Sequence, residues 1–263
     1  MRFLIILFLL FQSNFVNAFE LNGEITQGAL IIGREQTDKS IYVNKKKIKL
    51  SKNGIFVFGI SYNQTGNVVI ESVDKNNQVI SKTYKIKKRQ YKIQRIDGLH
   101  EKMVTPDQES LEIIKKENDL IKNAQLINSD FEFFLSGFSK PIDGVITGVY
   151  GSQRILNGKP RSPHLGIDYA APKGTEVRSP ADGQVTLAER GFYFTGDSII
   201  LDHGHGVSTI YAHLDEILVK KGDFIKKGQI IGKVGSTGRA TGPHLHFGMN
   251  WLGTKIDPEL ILK

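Results

Sequence analysis

The sequence contains no cysteine. That absence excludes disulfide frameworks, thiol nucleophiles, Cys-ligated zinc fingers and iron–sulfur clusters, and it removes the acceptor residue of a lipoprotein anchor. Any metal must therefore be held by histidines and carboxylates. Long hydrophobic runs are also lacking. The longest, Phe3 to Phe11, has nine residues, or about 14 Å of helix against a hydrocarbon core of roughly 30 Å. Acidic residues are in deficit, with 27 Asp and Glu against 35 Lys and Arg, for a formal charge of +8. An excess of that sign points to an acidic partner: nucleic acid, an anionic membrane surface or an anionic wall polymer.

What is present is an ordinary globular composition. With 40% hydrophobic and 24% charged residues over 263 positions, the chain can bury one large core or two modest ones. A membrane bundle or a wholly disordered chain is excluded. The short run at Phe3 follows Met1-Arg2 and precedes Val16-Asn17-Ala18, a small-residue cleavage pattern. This is the build of a secretory signal peptide over residues 1–18, with the mature chain expected to begin near Phe19 and to be exported to the periplasm or cell envelope. No transmembrane span is expected once the signal is removed. An exported chain is not expected to meet nucleic acid, so the cationic excess is assigned to an envelope surface.

Three regions follow. Residues 19–100 alternate in period two with turn-rich breaks such as Lys52-Asn53-Gly54 and Asp74-Lys75-Asn76-Asn77. This predicts six or seven short strands in a small β-sandwich-like module. The module carries 15 Lys and Arg against 7 Asp and Glu, with dense runs at Lys45-Lys46-Lys47 and Lys87-Lys88-Arg89. Two readings stand: solvated strand edges that block aggregation, or a surface for an anionic glycan or lipid. Residues 101–140 form an acidic helical linker. Thr105-Pro106-Asp107-Gln108 reads as its start, with Thr105 as N-cap, and Leu111, Ile114, Ile121 and Ala124 as its apolar face beside Leu120. Residues 141–263 hold 19 of the 27 glycines and six of the seven histidines, and read as a compact antiparallel β domain punctuated by tight turns. The fold class is mainly β.

The chemistry concentrates in the last region. His164 and Asp168 stand four apart and both suit a metal. Pro243-His244-Leu245-His246-Phe247 begins a strand, and residues i and i+2 of a strand share a face, so His244 and His246 look into one pocket. Tyr211-Ala212-His213-Leu214 puts a lone His at a strand end. Two histidines and an aspartate would satisfy a catalytic zinc with one position left open, leaving two histidines for proton transfer. His203 and His205 form another H-x-H, but glycines on both sides of His205 indicate a turn. Arg154, Asn157 and Arg161 either line a groove or are solvated in a loop, and His100 is expected to be exposed. The Gly-rich stretch from Gly235 to Gly242 is no phosphate loop, since no Lys-Ser/Thr follows; it is expected to position His244 and His246.

The strings Arg161-Ser-Pro-His164-Leu-Gly-Ile-Asp168-Tyr-Ala-Ala-Pro172-Lys-Gly174-Thr, Tyr211-Ala-His213-Leu and Gly242-Pro-His244-Leu-His246-Phe247, in this order, resemble the M23 zinc endopeptidases of lysostaphin or LytM type. The likeness covers about residues 140 to 258. It implies Zn²⁺ on His164, Asp168 and His246, catalytic roles for His213 and His244, an open groove in a small antiparallel β domain, and the peptide part of peptidoglycan as substrate. All five positions are filled. There is no Glu of an H-E-x-x-H helix, so the base is imidazole rather than carboxylate. Two rivals remain: a silent wall-binding activator of a separate amidase, which would be expected to lack metal ligands, and a lipoyl-like carrier suggested by Val177 to Val185 and Val219 to Val234.

Overall fold

The computed structural model describes residues 19–98 and 100–263, so the expected signal peptide, residues 1–18, lies outside the described residues. The N-terminal region forms two sheets. One is three-stranded, in the order Glu20–Asn22, Leu30–Arg34, Ile55–Gly59; the other is four-stranded, in the order Lys46–Ile48, Ser40–Val43, Asn67–Val73, Val79–Lys85. Every neighbouring pair in them is antiparallel. Period two explains the packing. Ile41 and Val43 of one strand and Val68 and Ile70 of another are buried, while Tyr42 and Val69 between them are only half-buried. Residues on one face of each strand thus meet the residues of the facing sheet.

The main helix starts two residues later than the sequence suggests. It spans Gln108–Gln125, and its N-cap is Asp107, whose side chain accepts from the Ser110 backbone N–H. The Thr105 hydroxyl instead accepts from the Lys159 ammonium at 3.0 Å. The predicted apolar face is only partly used. Ile114 and Ala124 are buried, but Leu111 and Leu120 are 45% and 50% exposed. The reason is that the helix lies beside the C-terminal sheet rather than between two β regions. Ala124 and Ile121 pack on Leu187, Phe192, Ile200 and Ile210 of that sheet, which covers one narrow stripe. A second short helix, Glu101–Val104, precedes it. Among the described residues no helix is long and apolar enough to cross a membrane.

Besides a small three-stranded sheet that joins Lys159–Pro160 and Gln153–Leu156 to Ile93–Ile96, the C-terminal region contains a ten-stranded antiparallel sheet. Its central path runs Phe224–Ile225, Gly183–Phe192, Gly196–Gly204, Val207–Ile217, His244–Trp251, Ile167–Ala170, Val145–Gly148. Its core is continuous with that of the N-terminal sheets: Ile31, Phe56 and Phe58 belong to the same buried cluster as Ile167, Tyr211, Phe247 and Ile256. Polar contacts reinforce this docking. Arg89 pairs with the fully buried Asp257 at 2.6 Å, and the Lys49 ammonium donates to the Asn128 and Ser129 carbonyls at 2.9 Å. Phe134 and Phe138 of the segment after the helix are 1% exposed, so residues 128–140 are part of the packed structure.

Candidate metal centre

Strand register assembles the centre. Asp168 stands directly opposite His246 on the antiparallel neighbour, and Ala170 opposite His244. Directly opposed residues share a face, so Asp168, His246 and His244 project to the same side. Leu245 and Phe247, on the other side, are fully buried. His164 arrives from the loop before Asp168. The result is a cluster of three donors: His164 Nε2 lies 3.0 Å from Asp168 Oδ1 and 2.9 Å from His246 Nδ1, which is itself 2.8 Å from Asp168 Oδ1. Among the described residues, His164, Asp168 and His246 are the group able to hold a metal ion.

The protonation chemistry agrees with that use. A carbonyl oxygen can only accept, so the contact of His164 Nδ1 with the Val149 carbonyl at 3.3 Å places the ring proton there and leaves Nε2 as a lone pair. That lone pair faces a carboxylate oxygen. Burial first, then the nearby His246 and Arg154, push His164 down to about 4, while Asp168 beside it pulls the other way. Burial opposes the charge on Asp168, but the imidazoles of His164 and His246 outweigh it and hold the carboxyl far below its usual range. A neutral imidazole and an ionised carboxylate are the forms a metal requires. Electron pairs converging with too few protons between them are best satisfied by a cation.

Two glycines make room for these groups. A Cβ on Gly166 would stand 2.6 Å from His246 Cε1 and 2.7 Å from the Phe247 carbonyl oxygen, and one on Gly148 would strike the Asp168 carboxylate. The donor set, its protonation and this space fit a divalent metal.

His213 reaches the same side by breaking strand alternation. Ala212 is the residue opposite His246, so a regular strand would send His213 to the far face. Instead His213 has φ +63, a left-handed conformation costly for a branched or bulky residue, and the ladder is irregular just beyond it. Its ring comes to 4.6 Å from that of His244 and 6.2 Å from that of His246, centroid to centroid. His213 Nδ1 donates to the Thr237 carbonyl and His244 Nδ1 to the Gly242 carbonyl, both at 2.8 Å. In the neutral tautomer this leaves the lone pair on Nε2, and His244 Nε2 lies 4.0 Å from Asp168 Oδ1. Burial, followed by His246 and His244, pushes His213 down to about 3. The imidazole is thus held in its neutral form.

The other candidates go elsewhere. His203 is fully buried, donating from Nδ1 to the Asp182 carbonyl at 2.6 Å and accepting at Nε2 from the Thr209 hydroxyl at 2.8 Å. His205 sits in the turn after it, edge-on to Phe134. Neither joins the metal group, and His100 is exposed. Arg154, which the sequence leaves between groove and loop, is in the groove: its Nη2 donates to Asp168 Oδ2 at 2.8 Å. Sequence reasoning did not single out Gly148, Gly166, Thr237 or Arg239 by themselves; Gly166 carried a local hint in standing between His164 and Asp168, and Thr237 and Arg239 lie in the Gly235 to Gly242 stretch expected to position the histidines.

Three convergent N, N and O donors with two further imidazoles beside them, on an antiparallel β sheet, form a centre of metallopeptidase type. Residues 162–258 match the model of peptidase family M23. The chain's similarity extends to the DD-carboxypeptidase/endopeptidase Mpg of Neisseria meningitidis, 48% identical over 96 residues, which are 36% of this chain and 22% of that protein. The peptidoglycan DD-endopeptidase ShyB of Vibrio cholerae is 48% identical over 85 residues, 32% of this chain and 20% of its own. The matched stretch thus spans about a fifth of the length of these relatives. A Pseudomonas aeruginosa crystal structure assigned to peptidase M23 superposes with a TM-score of 0.69 at 26% identity, covering 90% of this chain and 94% of that one. The likeness to that structure therefore includes the N-terminal sheets.

Proposed function

We propose that this chain is an exported zinc-dependent endopeptidase that hydrolyses peptide bonds of peptidoglycan, of the D,D type after which its relatives are named. The observation that carries the reading is the convergence of His164 Nε2, Asp168 Oδ1 and His246 Nδ1 beside two histidines whose Nδ1 protons are both committed to backbone carbonyls.

His164, Asp168 and His246 would hold the ion. Zinc, when bound in such a site, supplies Lewis acidity toward a carbonyl and lowers the pKa of water. The remaining work falls to side chains of this chain. His213 and His244 each present an Nε2 lone pair to the pocket, and either can take the proton of the attacking water. The carbonyls of Thr237 and Gly242 stabilise the imidazolium so formed, because each accepts from the opposite ring nitrogen. The imidazolium then stabilises the oxyanion and returns its proton to the leaving amine. Arg154 steadies Asp168 by binding the carboxylate oxygen not aimed at His164 and His246.

The basic N-terminal module would face an anionic envelope surface. Lys45, Lys46, Lys47 and Lys88 are all exposed, as such a role requires. Digestion of purified peptidoglycan, with mass identification of the new amine termini, tests the enzymatic reading and names the bond. New amines that vanish on chelation and return with zinc are expected. A chain that binds peptidoglycan and releases none would be the silent binder instead.

A further inference from the structure

A cavity of about 340 Å³ adjoins the metal centre, sharing Asp168 and His244 with it and lined further by Arg154, Arg239, Gln94 and Thr241. Its charge is unbalanced. Two guanidiniums face one carboxylate, and that carboxylate is already shared with two imidazoles. Arg154 uses Nη2 on Asp168, while its buried Nε meets no hydrogen-bond partner among the described residues. Arg239 stacks on the Phe194 ring, 4.1 Å from its centroid, and its backbone N–H donates to the Phe194 carbonyl at 2.9 Å. Burial disfavours its charge, and so does the closeness of Arg154 and Arg161.

Both guanidiniums are held in place. The strand bearing Arg154, Gln153–Leu156, pairs with Ile93–Ile96, the one parallel strand pair among the described strands. Gln94 of that partner donates to the Thr147 carbonyl at 3.4 Å. The loop beyond is tied down by Arg161 Nη2 on the Val104 carbonyl at 2.7 Å and Lys159 on Glu101 at 2.6 Å. Residues far from the centre in sequence are thus spent on fixing cationic groups beside it. Like charges confined at a partly buried site favour an anionic ligand.

We infer that this cavity is a carboxylate subsite in which Arg154 and Arg239 bind the free carboxylate of the residue that supplies the leaving amine. The inference rests on the D,D reading above. In a D,D bond the scissile nitrogen sits on a D-centre, and the carboxylate on that same carbon is free. Such a carboxylate lies two bonds from the scissile nitrogen and must fall next to the metal ligands, which is where the cavity is. A planar guanidinium matches a carboxylate with paired N–H donors. Glycine bridges, whose carboxyl groups are all in peptide linkage, offer no such partner.

The test uses Nα,Nε-diacetyl-L-lysyl-D-alanyl-D-alanine and its C-terminal amide, titrated by calorimetry into the full, zinc-loaded chain carrying His213→Ala so that neither is consumed. The free acid is expected to bind at least about tenfold tighter than the amide, the scale of a charge-assisted hydrogen bond. Adding Arg239→Gln, which leaves Asp168 untouched, should bring the two within about twofold. Arg154→Gln should act in the same direction. Equal binding of acid and amide, binding of neither, or discrimination that survives both substitutions in folded protein would overturn the subsite. The function reading fails separately, if the unsubstituted chain releases no amines from peptidoglycan.

Discussion

Asp168 and His246 face each other across neighbouring antiparallel strands, with Oδ1 and Nδ1 2.8 Å apart. The third donor, His164 Nε2, lies within 3.0 Å of both. Because each donor sits against the other two, removing any one dismantles the centre. Replacing His164, Asp168 or His246 with Ala is expected to remove both stoichiometric zinc and peptidoglycan hydrolysis. Metal analysis by plasma mass spectrometry, run beside the digestion assay, checks this. Full zinc in the Asp168→Ala protein would sink the ligand assignment.

In the proposed mechanism His213 and His244 act on protons rather than on the metal, so their loss is expected to have a different signature. His213→Ala and His244→Ala should retain zinc while the rate falls by about 10²–10⁴, the range for removing a general acid–base group. Loss of metal together with activity would move that residue into the ligand set.

The glycines beside the donors give a steric test. Gly166→Ala places a methyl 2.6 Å from His246 Cε1, and Gly148→Ala places one against the Asp168 carboxylate. Zinc affinity should fall about 10–100-fold in each, as for other changes that misorient a ligand. Gly242→Ala meets nothing within 4 Å and should keep its zinc. Competition with a chromogenic chelator reads all three.

His203 ties stability to acid. Burial pushes its pKa down to about 4, with the Asp182 carbonyl and carboxylate opposing the shift. The unfolded chain, with an ordinary His pKa near 6.5, therefore binds the proton first as pH falls. Stability from this group is complete above about pH 6.5 and is lost on the way down to about pH 4, by up to about 3 kcal/mol. His203→Asn should lower stability at pH 7 yet flatten the decline over that window. Urea melts at several pH values compare the two slopes, and parallel curves would remove His203 as the cause.

The cationic module predicts a salt-sensitive affinity for peptidoglycan or anionic vesicles. Because residues of both β regions share one core, deleting residues 19–100 would expose apolar surface, so substitution is the sounder test. Changing the exposed Lys45, Lys47, Lys85 and Lys88 to Gln should weaken binding at low ionic strength. The difference should disappear as the Debye length shrinks from about 10 Å at 0.1 M to about 3 Å at 1 M salt. Unchanged affinity would return these lysines to the role of solvated strand edges.

Some of this was legible residue by residue. Period two placed His244 and His246 on one face and made Leu245 and Phe247 core, since that relation depends only on the local pleat. Glycines on both sides of His205 marked its turn for the same local reason. The helix start was misread because Asp107 and Thr105 are both good caps, and only Thr105 has Lys159 as a competing partner from a distant loop. The exposure of Leu111 and Leu120 was invisible because it depends on what the helix packs against.

The absence of cysteine and the spacing of His164, Asp168, His244 and His246 determined by themselves that a metal centre here would be built from imidazole and carboxylate. Tertiary structure decided the rest. His213 joins the centre only because its φ of +63 reverses the face that strand alternation assigns it. Arg154, Arg239 and Gln94 line one cavity from separate parts of the chain. Contacts between residues distant in sequence depend on strand register and loop closure over the whole fold, and short spacings carry no record of either.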